Sequence, residues 1–156
     1  MRRKKGFTLV EVLVSTLIMA IAITSTLQIL IYLLQMNEAN QSSVTCMNEV
    51  QGRMDAIKSV LYEDIVGSYN RLNFTSAELT SRGVRHSGII YATEIQPPFL
   101  IDVKIVVCWE NKNRIIGEDT NLNGLLDGGE DTNGNGIIDS PTMIEGTILN
   151  RAYQGS

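Results

Sequence analysis

Ten residues recur at a period of twelve late in the chain, Glu118-Asp119-Thr120-Asn121-Leu122-Asn123-Gly124-Leu125-Leu126-Asp127 and then Glu130-Asp131-Thr132-Asn133-Gly134-Asn135-Gly136-Ile137-Ile138-Asp139. Both copies set oxygen-bearing side chains at the same offsets. With the first aspartate as position 1, Asp119, Asn121 and Asn123 fall at 1, 3 and 5, Gly124 at 6, Leu125 at 7 and Asp127 at 9. A hard cation such as calcium takes about six to eight oxygens, one of them the backbone carbonyl at position 7, and the chain turns sharply at a glycine in position 6. Glu130 then arrives at position 12, where a bidentate carboxylate closes such a shell. The second copy supplies Asp131, Asn133, Asn135, the carbonyl of Ile137 and Asp139, but its position 12 is Thr142 and the nearest later acid is Glu145. The second loop is therefore expected to hold its ion more weakly, unless a ligand is shared.

The segment resembles the calcium loops of EF-hands, dockerins and thrombospondin type 3 repeats, although no clear helices flank it. Asparagine replaces several aspartates, so ligand charge is modest, and one or two calcium ions are expected with dissociation constants on the order of 10⁻⁴–10⁻³ M. Leu126 and Ile138, at the hydrophobic position 8, are expected to anchor the loops to one another or to a sheet. With so little apolar content, residues 117–139 should not order without the ion.

Other chemistry is sparse. Glu94 and Asp102 are the sort of carboxylates that serve as acid and base, but no nucleophile motif and no glycine-rich phosphate loop accompanies them. The one histidine, His86, has no cysteine or second histidine beside it and reads as a surface loop residue. The chain is not expected to be an enzyme.

At the other end, Arg2-Arg3-Lys4-Lys5 meets Gly6-Phe7 and an apolar run broken by a single acid, Glu11. From Val12 to Met36 there are 25 residues without a charge, enough at helical rise to cross the hydrocarbon core of a bilayer. A carboxylate near the edge of such a span costs roughly 2.5–3.5 kcal/mol, so it needs a partner. Phe7 and Glu11 share a helix face at a spacing of four, so a cation at Phe7 would be within reach of Glu11.

The run Lys5-Gly6-Phe7-Thr8-Leu9-Val10-Glu11-Val12-Leu13 resembles the class III signal of type IV prepilins and type II secretion pseudopilins. The resemblance implies a prepilin peptidase/methyltransferase that reads Lys4, Lys5 and Gly6, cuts between Gly6 and Phe7, and N-methylates Phe7. The apolar helix then stays on the mature chain, unlike that of an ordinary secretory signal. It also implies that Glu11 recruits neighbouring subunits during assembly. Basic residues ahead of the span hold the N-terminus in the cytoplasm, so the remainder faces the periplasm from the inner membrane, then a pilus or pseudopilus, with access to the cell surface.

Without its basic leader the chain keeps nine basic against seventeen acidic side chains, a net charge of −8. Such a surface argues against nucleic acid, whose affinity rests on lysine and arginine contacts. An oxidising compartment permits a Cys46–Cys108 disulfide, but Cys46 falls on the flank of the predicted helix stripe and Cys108 on the strand face opposite the apolar set.

The length suits one small head behind the helix. Residues 1–6 form a leader, 7–36 a transmembrane or filament-core helix, and 37–156 a head containing the 117–142 loop insertion. Val44, Met47, Val50, Met54, Ile57 and Leu61 recur at spacings of three and four, so the helix is expected to continue with one buried face. Residues 62–87 read as a connection with one short helix near the capping-box pattern Thr75-Ser76-Ala77-Glu78. Strands are expected at Gly88–Ile95, Phe99–Trp109 and Thr142–Leu149. In the second, Phe99, Ile101, Val103, Ile105, Val107 and Trp109 alternate without a miss and should face the helix. The predicted fold is α+β, one long helix on a small antiparallel sheet, as the pilin resemblance also implies. The expected function is that of a structural subunit, a minor type IV pilin in a pilus or its tip, with a pseudopilin of a type II secretion system as the alternative and a calcium-dependent adhesin as a third reading.

Overall fold

The computed structural model describes residues 7–150 and 152; Gly6 and the basic leader lie outside them. Two compact units divide the chain at residues 40 and 41. Helix α1 (Leu9–Lys58) starts in the first and supplies its C-terminal part to the second.

In the first unit every side chain from Phe7 to Met36 is exposed, and the apolar window has a mean hydropathy of 2.2. A helix apolar on all sides requires lipid or other helices around it. Its serine and threonine hydroxyls are internally satisfied. Ser15, Thr16, Thr24, Ser25 and Thr26 each donate to a carbonyl three or four residues back at 2.7–3.0 Å, which quenches their polarity inside an apolar medium.

In the second unit α1 lies on an antiparallel sheet. After α1 come α2 (Tyr62–Tyr69), β1 (Leu72–Phe74) and α3 (Ala77–Ser81), followed by β2 (His86–Gln96), β3 (Leu100–Asn111), β4 (Arg114–Ile116) and β5 (Met143–Leu149). The sheet runs β1-β2-β3-β4, with β5 also on β3. Ile101, Val103, Ile105, Val107 and Trp109 face the helix as their alternation requires, and pack with Cys46, Val50, Met54, Ile57, Ile65 and Leu79. Fully burying each such aliphatic side chain is worth about 1.5–3 kcal/mol. Phe99, the first of the alternating set, precedes the strand and stays 43% exposed.

The buried helix face differs from the predicted stripe at both ends. Val44 and Met47 are 60% and 43% exposed, while Ser42, Thr45 and Cys46 turn inward. Small polar side chains fit there because Thr45 Oγ1 accepts a 2.9 Å bond from Arg82 Nη1. Leu61 is 75% exposed because the helix ends at Lys58. Cys46 is thus central in the core rather than on its flank. Cys108 lies on the opposite sheet face, and both thiols are free and buried.

Within residues 62–87 the expected short helix is α3, but its cap is shifted one residue from the T-x-x-E pattern. Ser76, not Thr75, is the N-cap and its hydroxyl accepts from Leu79 N, while Glu78 accepts from Thr45 Oγ1 instead of closing a capping box. The periodicity gives no sign of α2 or β1. His86 is not a loop residue: it opens β2 half-buried, its Nε2 accepting from Ser76 N at 2.8 Å while Nδ1 lies 2.9 Å from the carbonyl of Val84. That pairing ties α3 to the sheet. Asn111 to Arg114 forms a two-residue hairpin with Lys112 and Asn113 both at positive φ (50° and 64°), the turn that matches strand twist.

Candidate functional site

β4 and β5 run in the same direction along the same edge of β3. Ile116 pairs with Trp109 and Met143 with Val106, so the 26 residues between them leave and rejoin the edge three positions apart. The repeated segment is therefore an insertion into one edge strand, and its ends are pinned about 10 Å apart at strand rise. Val107 N donates to the Thr142 carbonyl at 3.0 Å and Thr142 Oγ1 to the Val107 carbonyl at 2.6 Å. Thr142 is consumed by the sheet and cannot serve as a ligand at position 12. Glu145, the nearest later acid, pairs with Lys104 at 3.6 Å.

Outside helix or strand, side-chain oxygens organise the insertion. In the first loop Asp119 Oδ1 accepts from Asn123 N at 3.0 Å and Oδ2 from Gly124 N at 2.8 Å. The Asn121 side-chain oxygen accepts from Asn123 N at 3.0 Å, and that of Asn123 from Leu125 N at 2.7 Å. Asp127 Oδ2 takes amide hydrogens from Asn121 and Asn123, both at 2.8 Å. These donors hold the Asp127 carboxyl below the usual carboxylate range. Glu130 accepts from Thr120 Oγ1 at 2.6 Å and Thr120 N at 2.8 Å through Oε1, and from Asp127 N at 3.0 Å through Oε2. The Thr120 hydroxyl is the main reason its carboxyl is also pulled down.

The second loop repeats this pattern. Asp131 accepts from Asn135 N and Gly136 N, the Asn133 and Asn135 side-chain oxygens from Asn135 N and Ile137 N, and Asp139 Oδ2 from both asparagine amides at 2.6 Å. Gly124 and Gly136, at position 6 of each loop, have φ of 75° and 77°, a left-handed conformation that other L-residues reach only with strain. The place that Glu130 holds in the first loop is held here by Glu118. Its Oε1 accepts from Thr132 N at 3.2 Å and from Thr132 Oγ1, and its Oε2 accepts from Asp139 N at 3.0 Å. Sequence order hides this, because Glu118 precedes the first loop.

Ile138 anchors the insertion to the outer sheet face. It is 1% exposed against Ile89, Val106 and Cys108, with Leu126 beside it, and its amide donates to Tyr91 Oη at 2.9 Å.

The electrostatics fit a cation. Asp119 and Glu130 are 1% and 5% exposed, yet among the described residues no lysine or arginine pairs with Asp119, Asp127 or Glu130. Buried carboxylates served by neutral donors alone retain uncompensated charge. In the second loop Asp139 Oδ1 is shut off from solvent with no hydrogen bond, and Lys104 Nζ approaches it to 3.8 Å. Among the described residues no group of three His, Cys, Asp or Glu side chains is compact enough to hold a metal unaided. Any shell must therefore draw on the asparagine amide oxygens and the Leu125 and Ile137 carbonyls, the donor types calcium prefers. Bound there, calcium would supply positive charge that knits the loop oxygens together.

Glu94 and Asp102 are not brought together. Glu94 stands opposite Ile101 on the helix-facing side of the sheet, and Asp102 stands opposite Thr93 on the other side.

At the N-terminus Thr8 and Glu11 form a reciprocal cap. Glu11 N donates to Thr8 Oγ1 at 3.2 Å, and Thr8 N to Glu11 Oε2 at 3.5 Å. The T-x-x-E spacing carries that signal in the sequence. Glu11 thus starts the helix as well as placing a charge in the span.

Comparison with curated proteins and with solved structures finds no match. The prokaryotic N-terminal methylation motif matches residues 1–27, the stretch that includes Gly6, Phe7 and Glu11. That motif implies processing by prepilin peptidase and assembly with other pilins, and together with the long helix on its small antiparallel sheet it supports a structural subunit of the type IV pilin or pseudopilin kind, anchored in the inner membrane before assembly.

Proposed function

We propose that the chain is a minor type IV pilin, cut between Gly6 and Phe7, methylated on Phe7, and added to a pilus through residues 7–36 with Glu11 setting axial register. The methylation motif running into a fully exposed apolar helix carries this reading. The head is acidic and is clasped by calcium at Asp119, Asn121, Asn123, Leu125, Asp127 and Glu130, with a second ion at Asp131, Asn133, Asn135, Ile137 and Asp139. Uncompensated buried charge at Asp119 and Glu130 favours the ion. A pseudopilin would share the N-terminal chemistry but not the extracellular filament.

Mass spectrometry of the chain recovered from filaments sheared off cells tests the reading. A mature N-terminus at methylated Phe7 within surface filaments is expected. Methylated chain confined to the envelope of a secreting cell would replace the pilus with a pseudopilus, and an uncut leader would overturn both.

A further inference from the structure

We propose that the two loops exchange their closing carboxylates, so that Glu118 completes the Asp131–Asp139 ion site as Glu130 completes the Asp119–Asp127 site, and that the pair binds calcium as one coupled unit. This rests on the calcium reading above. By linear position the second loop lacks a twelfth ligand, because Thr142 is bonded into the sheet. The fold supplies one from the opposite direction.

Three contacts define the equivalence. Each glutamate accepts from the backbone and hydroxyl of a threonine through Oε1, Glu130 from Thr120 and Glu118 from Thr132. Through Oε2 each accepts from the position-9 amide, Asp127 or Asp139, at 3.0 Å. The glutamate's own amide donates to the carbonyl of that same aspartate, at 3.1 Å for Glu130 and 2.9 Å for Glu118. Two repeats related in this way form a closed ring in which the residue just before each loop's first aspartate seals the other loop.

At the second site one carboxylate oxygen lacks a hydrogen-bond donor and has only a long ion pair. Asp139 Oδ1 faces away from solvent with no hydrogen bond, and its nearest cation is Lys104 at 3.8 Å. A divalent ion held by Asp139 and Glu118 would serve that oxygen directly.

The exchange has an energetic consequence. Glu118 is bonded to Asp119, so an ion that fixes Asp119 also restricts Glu118 and lowers the ordering cost of the second loop. By reciprocity the second ion favours the first to the same degree.

The test is calcium titration by calorimetry on the full chain in detergent, comparing wild type, Asp119→Ala, Glu118→Gln and Glu145→Gln, each checked for native circular dichroism. Two ions are expected for wild type. Asp119→Ala should leave one, bound more weakly than in wild type. Adding Glu118→Gln to Asp119→Ala should weaken the remaining ion by more than about tenfold, since even outer-shell partners of a metal are worth that much, whereas adding Glu145→Gln should change it little. Glutamine keeps an acceptor for Thr132, so a folding defect is separable from a lost ligand. If Glu118→Gln leaves the second ion unchanged, or Glu145→Gln removes it, the exchange is wrong while the calcium reading stands. If wild type binds no calcium, both fall.

Discussion

Glu118 holds the Asp139 amide at 3.0 Å across 21 residues of chain. The contact shuts the neck of an insertion whose two ends sit side by side on the edge of β3. Closing a loop at its neck makes its length cheap, because the entropy cost of further residues grows only logarithmically. The sheet can therefore carry an elaborate appendage without surrendering β5, which resumes the edge where β4 left it.

Gly88→Ala should destabilise the head. Its missing Cβ would lie 2.4 Å from Cζ of Phe74, the cross-strand neighbour in β1. The ring cannot retreat freely, because Arg53 Cζ packs 3.8 Å from its centroid on α1. Overpacking of this kind costs roughly 1–3 kcal/mol. Thermal melting of the full chain in detergent should show a lower midpoint, and a wild-type midpoint would mean that the Phe74 layer yields.

Cys46 should make the fold alkali-sensitive. Burial pushes its thiol from 9.0 up to about 12. Between those values the unfolded chain releases a proton that the native chain keeps. Stability is therefore intact below pH 9 and falls as pH rises toward 12. Cys46→Ala should lose stability at neutral pH through its cavity, but show a shallower decline over that alkaline range. Equal slopes in the two proteins would assign the decline to other groups.

Two roles meet at Glu11, the cap to Thr8 and the charge in the span, and one pair of variants separates them. Glu11→Gln preserves the cap, since glutamine also serves at that position, but removes the charge. If the charge sets register, Glu11→Gln and Glu11→Ala should both be exported yet depleted from sheared filaments. Normal incorporation of Glu11→Gln beside a defective Glu11→Ala would reduce Glu11 to a helix cap.

Strand β3 and the continuity of α1 are legible in the sequence, because alternation and the lack of proline are local properties. The inward face of α1 near Ser42 and Thr45 is not, since hydropathy assigns small hydroxyl residues to solvent while Arg82 satisfies Thr45 from a distant segment. α2 and β1 are too short to show a period. The first repeated loop is readable as a contiguous twelve-residue pattern. Glu118 is not, because its relation to Thr132 and Asp139 exists only after the repeats fold back on each other. Glu11's capping role had a sequence signal in Thr8, three positions ahead.

The most direct test of the account is melting of the full chain in detergent across a calcium titration, with Asp119→Ala alongside. Calcium in hundredfold excess over its dissociation constant should stabilise wild type by about 2.7 kcal/mol for each ion bound, reversibly on chelation, with a smaller gain for Asp119→Ala. A melting temperature indifferent to calcium, equal in both proteins, would contradict the clasp and leave the repeats as a loop ordered by its own hydrogen bonds.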